Sequence, residues 1–475
     1  MIVAKPCIIC GSTAGSHEHV FPAALGGRRT SKQIYCAAHN QGFGRHVAVL
    51  EDQLSILNAP LEIRHDRRES AKPFVFSNAE GESYSVLGET FEVAMPPDVG
   101  SIERDPDGKT VIKVSNMARF EEWREKQRKA GWEVKVAEKG EVTQKYFVGE
   151  QRIDHTFGGK PFLQAVGYLG LTFFAQYFPE HARQDGLAPF KRFLDANFNH
   201  PAEESSAWVP NAVWWDGRET EPKIGPNPYA FGHTIIVGMS TETQRAYAYV
   251  SFFSSLSFGI DLGTVAAPAD RAFRVFIDPK SEKAGSDDLR SERFDAFDID
   301  MSPRDADLAD MIQSGTAAEA MNRFGAKVGE YQFQKFTHTI EERVSAWTAE
   351  GANNRGAFAV ELVNEQAQRM LNLLDRSAKG LHDHFREQSV CSPVIDAALT
   401  GLVKADDSKP GGISAVTSAL LQQAKTAIAK AIEQELAGAA PDGEQIALLL
   451  YGGRGIAVVT GEVLLPRLLE ANYKR

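Results

Sequence analysis

Apolar and polar positions change rhythm along the chain, and each rhythm predicts a different kind of element. Val47, Leu50, Leu54 and Leu57 recur at helical spacing and predict a short amphipathic helix over Val47–Leu57, which Asn58-Ala59-Pro60 should interrupt. A charged connector, Arg64-His65-Asp66-Arg67-Arg68-Glu69, precedes strand-like Phe74-Val75-Phe76. Tyr84–Val93, Thr110–Val114, Trp132–Val136 and Val142–Val148 read as further strands. Pro161–Phe178 is long and very apolar, with prolines at its start and just beyond its end, and predicts a buried helix. Pro189–Phe198 predicts a second, shorter helix. Thr234–Val237, Ala246–Phe253, Ser257–Asp261 and Phe273–Ile277 predict an antiparallel meander, in which Arg245–Tyr249 alternates small and aromatic residues as a half-buried strand does. Beyond about residue 300 the pattern is helical over Phe358–Glu387 and Ser414–Leu436, with Lys404–Gly412 as a loop between them and Gly455–Val463 returning to strand-like sequence. The class is α+β, and the divisions fall at 1–68, 69–300 and 301–475.

At 475 residues there is room for two or three cores. No run of about 18 apolar residues predicts a membrane span. The start, Met1-Ile2-Val3-Ala4-Lys5-Pro6-Cys7, is too short and too soon interrupted for a signal peptide. Four cysteines, mostly at metal-ligand spacing, fit a reducing compartment, so a cytoplasmic location is expected. The formal charge of −11 argues against a general nucleic-acid coat. Residues 1–68 nevertheless hold eight Lys/Arg against five acids, a net of +3 that leaves −14 for the rest. A mildly basic head suits local contact with a phosphate backbone, although ordinary fluctuation of surface charge would give the same figure.

The candidate chemistry lies in that head. Cys7-Ile8-Ile9-Cys10 and Cys36-Ala37-Ala38-His39 are two ligand pairs, each with two intervening residues, that can hold one tetrahedral Zn²⁺. Two redox-active or merely buried cysteine pairs would be the alternative. Between them, Glu18 and His19 put a carboxylate beside an imidazole, and Asn40 follows the last zinc ligand directly. His19 can take a proton from water, while Glu18 and Asn40 offer hard oxygens suited to Mg²⁺ or Mn²⁺. Neighbours on an ideal strand point to opposite faces, so a bend is needed if both are to serve one site. An exposed histidine beside a solvated carboxylate is the plain alternative.

Other motifs fail on spacing. Pro6–Cys10 matches half of a zinc-deaminase signature without its His-x-Glu. His17-Glu18 lacks the zincin histidine, Phe21 standing in its place. Gly452-Gly453-Arg454-Gly455 reads as a turn. Trp208, Trp214 and Trp215 read as packing more readily than as a base-stacking platform, His382 and His384 receive no role, and Cys391 reads as a buried apolar residue.

Taken together, Cys-x-x-Cys, Glu-His-Val-x-Pro, Leu-Gly-Gly and Cys-x-x-His-Asn with a following Gly-Phe-Gly resemble the HNH endonucleases of the ββα-metal (His-Me finger) superfamily, over residues 4 to 57. The resemblance implies a ββα-metal nuclease module with a structural zinc on Cys7, Cys10, Cys36 and His39. It implies His19 as general base, with Glu18 and Asn40 on a catalytic Mg²⁺ or Mn²⁺. Arg28, Arg29 and Arg45 are candidates for phosphate contact, each equally readable as a surface charge. The family's middle Asn, which orients the base, has no counterpart in Lys32–Tyr35; Gln33 or a backbone carbonyl would have to replace it. The second knuckle pair is Cys-x-x-His instead of Cys-x-x-Cys. His46 reads as a helix-surface histidine sooner than a further ligand. The expected function is a divalent-metal-dependent endonuclease acting on nucleic acid, double-stranded DNA first, in a restriction or antiphage setting, with a mixed α/β middle region for recognition or sensing and a helical end for assembly, as into a homo-oligomer, or for regulation. The competing class is a non-catalytic zinc-knuckle binding or regulatory protein.

Overall fold

The computed structural model describes residues 5–66, 68, 70–77, 83–93, 102–104, 110–112, 117–133, 146–148, 155–196, 209, 211–217, 225–281, 289–294, 315–406, 412–438 and 440–473. Trp208 and the greater parts of the expected strands Trp132–Val136 and Val142–Val148 lie outside the described residues. The chain forms two compact units, one of residues 1–121 with 153–328, the other of 122–152 with 329–475.

In the first unit, strands β1 (Glu18–His19) and β2 (Thr30–Ser31) pair as a short antiparallel hairpin, followed by helices α1 (Ala37–Gln53) and α2 (Ser55–Leu61). The expected helix over Val47–Leu57 is thus the end of a longer one. The break falls at Leu54, not at Asn58–Pro60; Pro60 sits inside α2, which ends at Glu62 in the left-handed conformation. Next come a meander of β3 (Phe74–Ser77), β4 (Ser83–Leu87) and β5 (Thr90–Val93), a pair of β6 (Ile102–Arg104) and β7 (Thr110–Ile112), and the start of α3 (Met117–Lys129), whose residues from 122 onward belong to the second unit.

The core of this unit is α4 (Gly159–Tyr177) laid on an antiparallel sheet. The sheet holds β8 (Val213–Trp215), β9 (His233–Ser240), β10 (Arg245–Phe252), β11 (Leu256–Thr264), β12 (Arg271–Ile277) and β13 (Leu289–Phe294), in the order β13-β12-β9-β10-β11-β8. Helix α4 is apolar nearly all round because it is enclosed nearly all round: Phe162, Leu169, Phe173 and Phe174 are all fully buried. Gly170 lets it approach the sheet, since a Cβ there would lie 2.6 Å from Ile260 Cδ1. Helix α5 (Ala188–Asp195) buries Phe190 and Phe193 beside it. Trp214 and Trp215 lie buried on β8, which is the packing reading.

The second unit is helical. It contains the C-terminal part of α6 (Thr316–Ala349), then α7 (Arg355–Glu365), α8 (Ala367–Glu387), α9 (Pro393–Leu399), α10 (Ala415–Leu436), α11 (Gly443–Tyr451), α12 (Gly453–Val459) and α13 (Leu465–Tyr473). Ile340, Leu362, Leu374, Leu421, Ile428, Ile446 and Leu450 form one cluster. Ser414 and Asp442 cap α10 and α11 by accepting backbone N–H bonds. The strand expected over Gly455–Val463 is helical, passing through one π-type turn at Thr460–Leu464. Val459 and Val463, four apart, both face the core, a spacing that a short aliphatic run does not distinguish from a strand. Among the described residues no single helix is long and apolar enough to cross a membrane.

Candidate active site and zinc knuckle

The knuckle is built by two local turns. Cys7 opens a tight loop in which the Gly11 N–H bonds the Cys7 carbonyl and Gly11 takes φ +73°. Cys36 is the residue that starts α1, so His39, three on, returns to the same side. The four donor atoms lie within 4.8 Å of one another: Cys36 Sγ–His39 Nδ1 is 3.3 Å, while Cys10 Sγ–Cys36 Sγ and Cys7 Sγ–His39 Nδ1 are each 3.8 Å. Donors about 2.3 Å from a tetrahedral Zn²⁺ stand about 3.8 Å apart, so the set fits the ion. Hydrogen bonds from Ser12 lower the Cys10 thiol to about 6, toward the thiolate that zinc takes, whereas burial raises Cys7.

The hairpin hangs from this knuckle and packs on α4. Gly26 and Gly27 are required by close approach: a Cβ on Gly26, where φ is +91°, would meet Pro279 Cα at 2.4 Å, and one on Gly27 would meet the Phe21 carbonyl oxygen at 2.0 Å. Phe21 packs against Phe173, Phe252 and the ring of His233. His233 donates from Nε2 to the Leu25 carbonyl (3.0 Å) and accepts from the Phe253 N–H at Nδ1. Burial lowers it to about 3, so it is a neutral bolt between hairpin and sheet. Tyr35 donates to Thr172 Oγ1 on α4 (2.9 Å).

Glu18 and His19 point apart, as strand geometry requires. Glu18 is buried, and the Tyr168 hydroxyl on α4 donates to its Oε1. Burial raises the Glu18 carboxyl to about 7 despite that bond. His19 stays partly exposed, its Nε2 2.9 Å from Asp66 Oδ2, and Asp66 Oδ1 lies 2.8 Å from His65 Nδ1. His65 also lines a cleft with Asn58, Arg68 and Lys72. Asn40 donates from Nδ2 to Ser16 Oγ (2.6 Å) and to the His17 carbonyl (3.0 Å), which ties α1 to the residues leading into β1.

Two of the three candidate phosphate-binding arginines are engaged within the fold. Arg28 donates to the carbonyls of Ala23, Gly27 and Arg64. Arg45 donates to those of Leu194, Asp195 and Ala196 and so closes the end of α5. His46, expected on a helix surface, is instead buried; its Nε2 bonds the Leu194 carbonyl and desolvation lowers it to about 3. Arg29 is exposed, directly before Thr30, which pairs with His19. The side chain bonded to His19 is that of Asp66 and not of Gln33, whose backbone N–H bonds Ser31 Oγ and whose carbonyl accepts from Arg183. Asp66 takes that place, from the charged connector, and Tyr168 reaches Glu18 from a helix 150 residues away; neither role has a local signal in the sequence.

A four-donor knuckle enclosing a hairpin with a histidine on its first strand, followed by a helix, is a ββα arrangement. Residues 7–52 match the HNH endonuclease family. No match to the chain was found among curated proteins or among solved structures. The HNH segment is therefore about a tenth of the chain, and it implies nuclease activity and a nucleic-acid substrate.

Proposed function

We propose that the protein is an endonuclease that hydrolyses phosphodiester bonds in double-stranded DNA, with His19 as general base and Asp66 as the residue that orients it. The observation that carries this reading is the 2.9 Å His19–Asp66 contact at the edge of the HNH hairpin. A carboxylate on Nε2 keeps the proton there and turns the Nδ1 lone pair outward. Water would give its proton to Nδ1 as its oxygen bonds phosphorus, and the P–O ester bond would break with the sugar oxygen leaving as an alkoxide that takes a proton from solvent. Asp66 would hold the imidazolium that results. Arg29, beside the same strand pair, would meet the phosphate backbone.

HNH domains use metals, Mg²⁺ or Mn²⁺ being the ions expected for catalysis here. Asn40 keeps its amide oxygen out of the bonds to Ser16 and His17 and suits a hard cation. Glu18 does not: buried against Tyr168 and raised to about 7, its carboxyl is half protonated near neutrality and faces the core. The expected pair of ligands does not fit the ion in this arrangement.

The same feature favours a second reading, a zinc-knuckle module that binds nucleic acid without cutting it. One assay separates the two. Plasmid DNA is incubated with the full chain and Mg²⁺ or Mn²⁺, with EDTA and with the His19→Ala variant. Cleavage abolished by EDTA and by His19→Ala supports the nuclease; binding without cleavage under every condition supports the module. In the nuclease reading, residues 69–300 would serve recognition or sensing and 301–475 assembly or restraint, in a cytoplasmic restriction or antiphage role.

A further inference from the structure

The second unit carries its own cluster of metal-binding side chains, away from the HNH segment in sequence. His382 lies on α8, Cys391 in the turn that follows, and Asp396 in the first turn of α9. One donor atom from each lies within 4.8 Å of the other two, and His382 Nε2 is 2.9 Å from Asp396 Oδ1. The turn that brings them together is fixed by its own backbone. The Val390 N–H bonds the Phe385 carbonyl, Ser389 takes φ +54°, and Ser392 caps α9 by accepting from the Ile395 N–H, with Pro393 at the first helical position. His382 is largely covered while the Asp396 side chain is about half exposed, so the cluster is walled on one side and open to water on the other.

We propose that His382, Cys391 and Asp396 form a second zinc site, with three protein donors and a fourth position for water. The donor set makes the choice of ion. A thiolate with an imidazole selects Zn²⁺ over Mg²⁺ or Ca²⁺, and a carboxylate completes a common tetrahedral set. Three donors that converge from within fifteen residues, 2.9 Å apart for His382 and Asp396 and none beyond 4.8 Å, require only small side-chain movements to reach the separations of about 3.5 Å that a tetrahedral ion sets. Metal would replace the His382–Asp396 hydrogen bond and tie the end of α8 to the start of α9. Because one position stays with water and one ligand is half exposed, this zinc should exchange faster than the fully ligated knuckle zinc.

The test is zinc stoichiometry on the full chain. Protein saturated with Zn²⁺ and freed of excess ion should hold about two zinc ions, one per complete donor set. Cys391→Ser and Asp396→Asn should each hold one fewer, with unchanged far-ultraviolet circular dichroism. Loaded with Co²⁺ instead, wild type minus Cys391→Ser should leave a charge-transfer band of single-thiolate intensity. Zinc should also slow hydrogen exchange over Ser389–Leu399 in the wild type and not in Asp396→Asn. A wild type that binds one zinc at saturation, or variants that keep the wild-type zinc content, would overturn the site. Should Cys391→Ser misfold, Asp396→Asn carries the same test.

Discussion

The HNH segment and the helical unit are held in order by different chemistry. In the helical unit, leucines, isoleucines and alanines recur at helical spacing and bury one shared cluster, so each residue's role is spread over many neighbours. In the HNH segment, position is set by single polar contacts: four donor atoms at the knuckle, Tyr168 on Glu18, Arg45 on the end of α5, and His233 on the Leu25 carbonyl. Strands of two residues cannot hold a site alone, and polar anchoring adds to the burial of Phe21, Leu25, Tyr35 and Phe43. Removing a single group should therefore be severe in the first region and graded in the second.

The most severe loss is expected at Cys36, which contributes one of the four converging knuckle donors and begins α1. Cys36→Ser should release one zinc per chain and abolish cleavage, with hydrogen-exchange protection lost over the hairpin and kept in the helical unit. Leu374→Ala, in the centre of the helical cluster, should cost about 2–5 kcal/mol in denaturant unfolding and leave knuckle zinc and cleavage intact. Equal and partial effects from both substitutions would erase the contrast.

Within the segment, base and orienting residue should separate by kind. His19→Ala should lower kcat by about 10²–10⁴ at unchanged zinc content. In the nuclease reading Asp66 acts through His19 and does not hold substrate, so Asp66→Asn should lower kcat less and leave KM near the wild-type value. Asp66→Glu, which keeps the carboxylate, should recover part of the loss. An Asp66→Asn enzyme with wild-type kcat would remove Asp66 from the mechanism.

The two regions also differed in how they could be read. Periodicity located α4 and α10 to within two residues, because burial on a long repeating face leaves a pattern in the chain. It misjudged Gly455–Val463, where aliphatic side chains four apart serve a helix and a strand equally well. The knuckle was legible as ligand spacing, since both donor pairs sit in local turns. Asp66, Tyr168 and His233 were not, because each reaches the hairpin from a distant element through one bond. His46 and Cys391 were misplaced for a related reason: spacing reveals which face a residue shares, and not what another element brings to that face.

Glu18 offers a pH test of polar anchoring. Its carboxyl stands at about 7 in the fold against an ordinary 4.5, raised by burial. The fold therefore favours the protonated form. That stabilisation is complete below about pH 4.5 and is lost as pH rises through 7, at most about 3 kcal/mol across the window. Glu18→Gln, which stays neutral, should lack this decline, so that the difference in unfolding free energy between variant and wild type grows from pH 5 to pH 8. Buried His46 and His233 act with the opposite sign, being stabilising as neutral rings above about 6.5 and costly on acidification toward 3. They are common to both proteins and cancel in the difference. Parallel curves for the two would place Glu18 in solvent.

The smallest effect distinguishes arginines that anchor from one that meets substrate. Arg45 donates to three carbonyls at the end of α5, so Arg45→Gln should cost about 1–3 kcal/mol of stability through the loss of charge-assisted bonds. It should leave the salt dependence of DNA binding unchanged, because that guanidinium neutralises no phosphate. Arg29 is exposed beside the His19 strand pair, and Arg29→Gln should do the reverse. Stability should hold, while the slope of log K against log salt, measured on a duplex in EDTA to prevent cutting, should fall by about 1. If Arg45→Gln lowered the slope and Arg29→Gln did not, the DNA would lie across the α1–α5 face and not along the hairpin, and polar contacts assigned here to anchoring would belong to recognition.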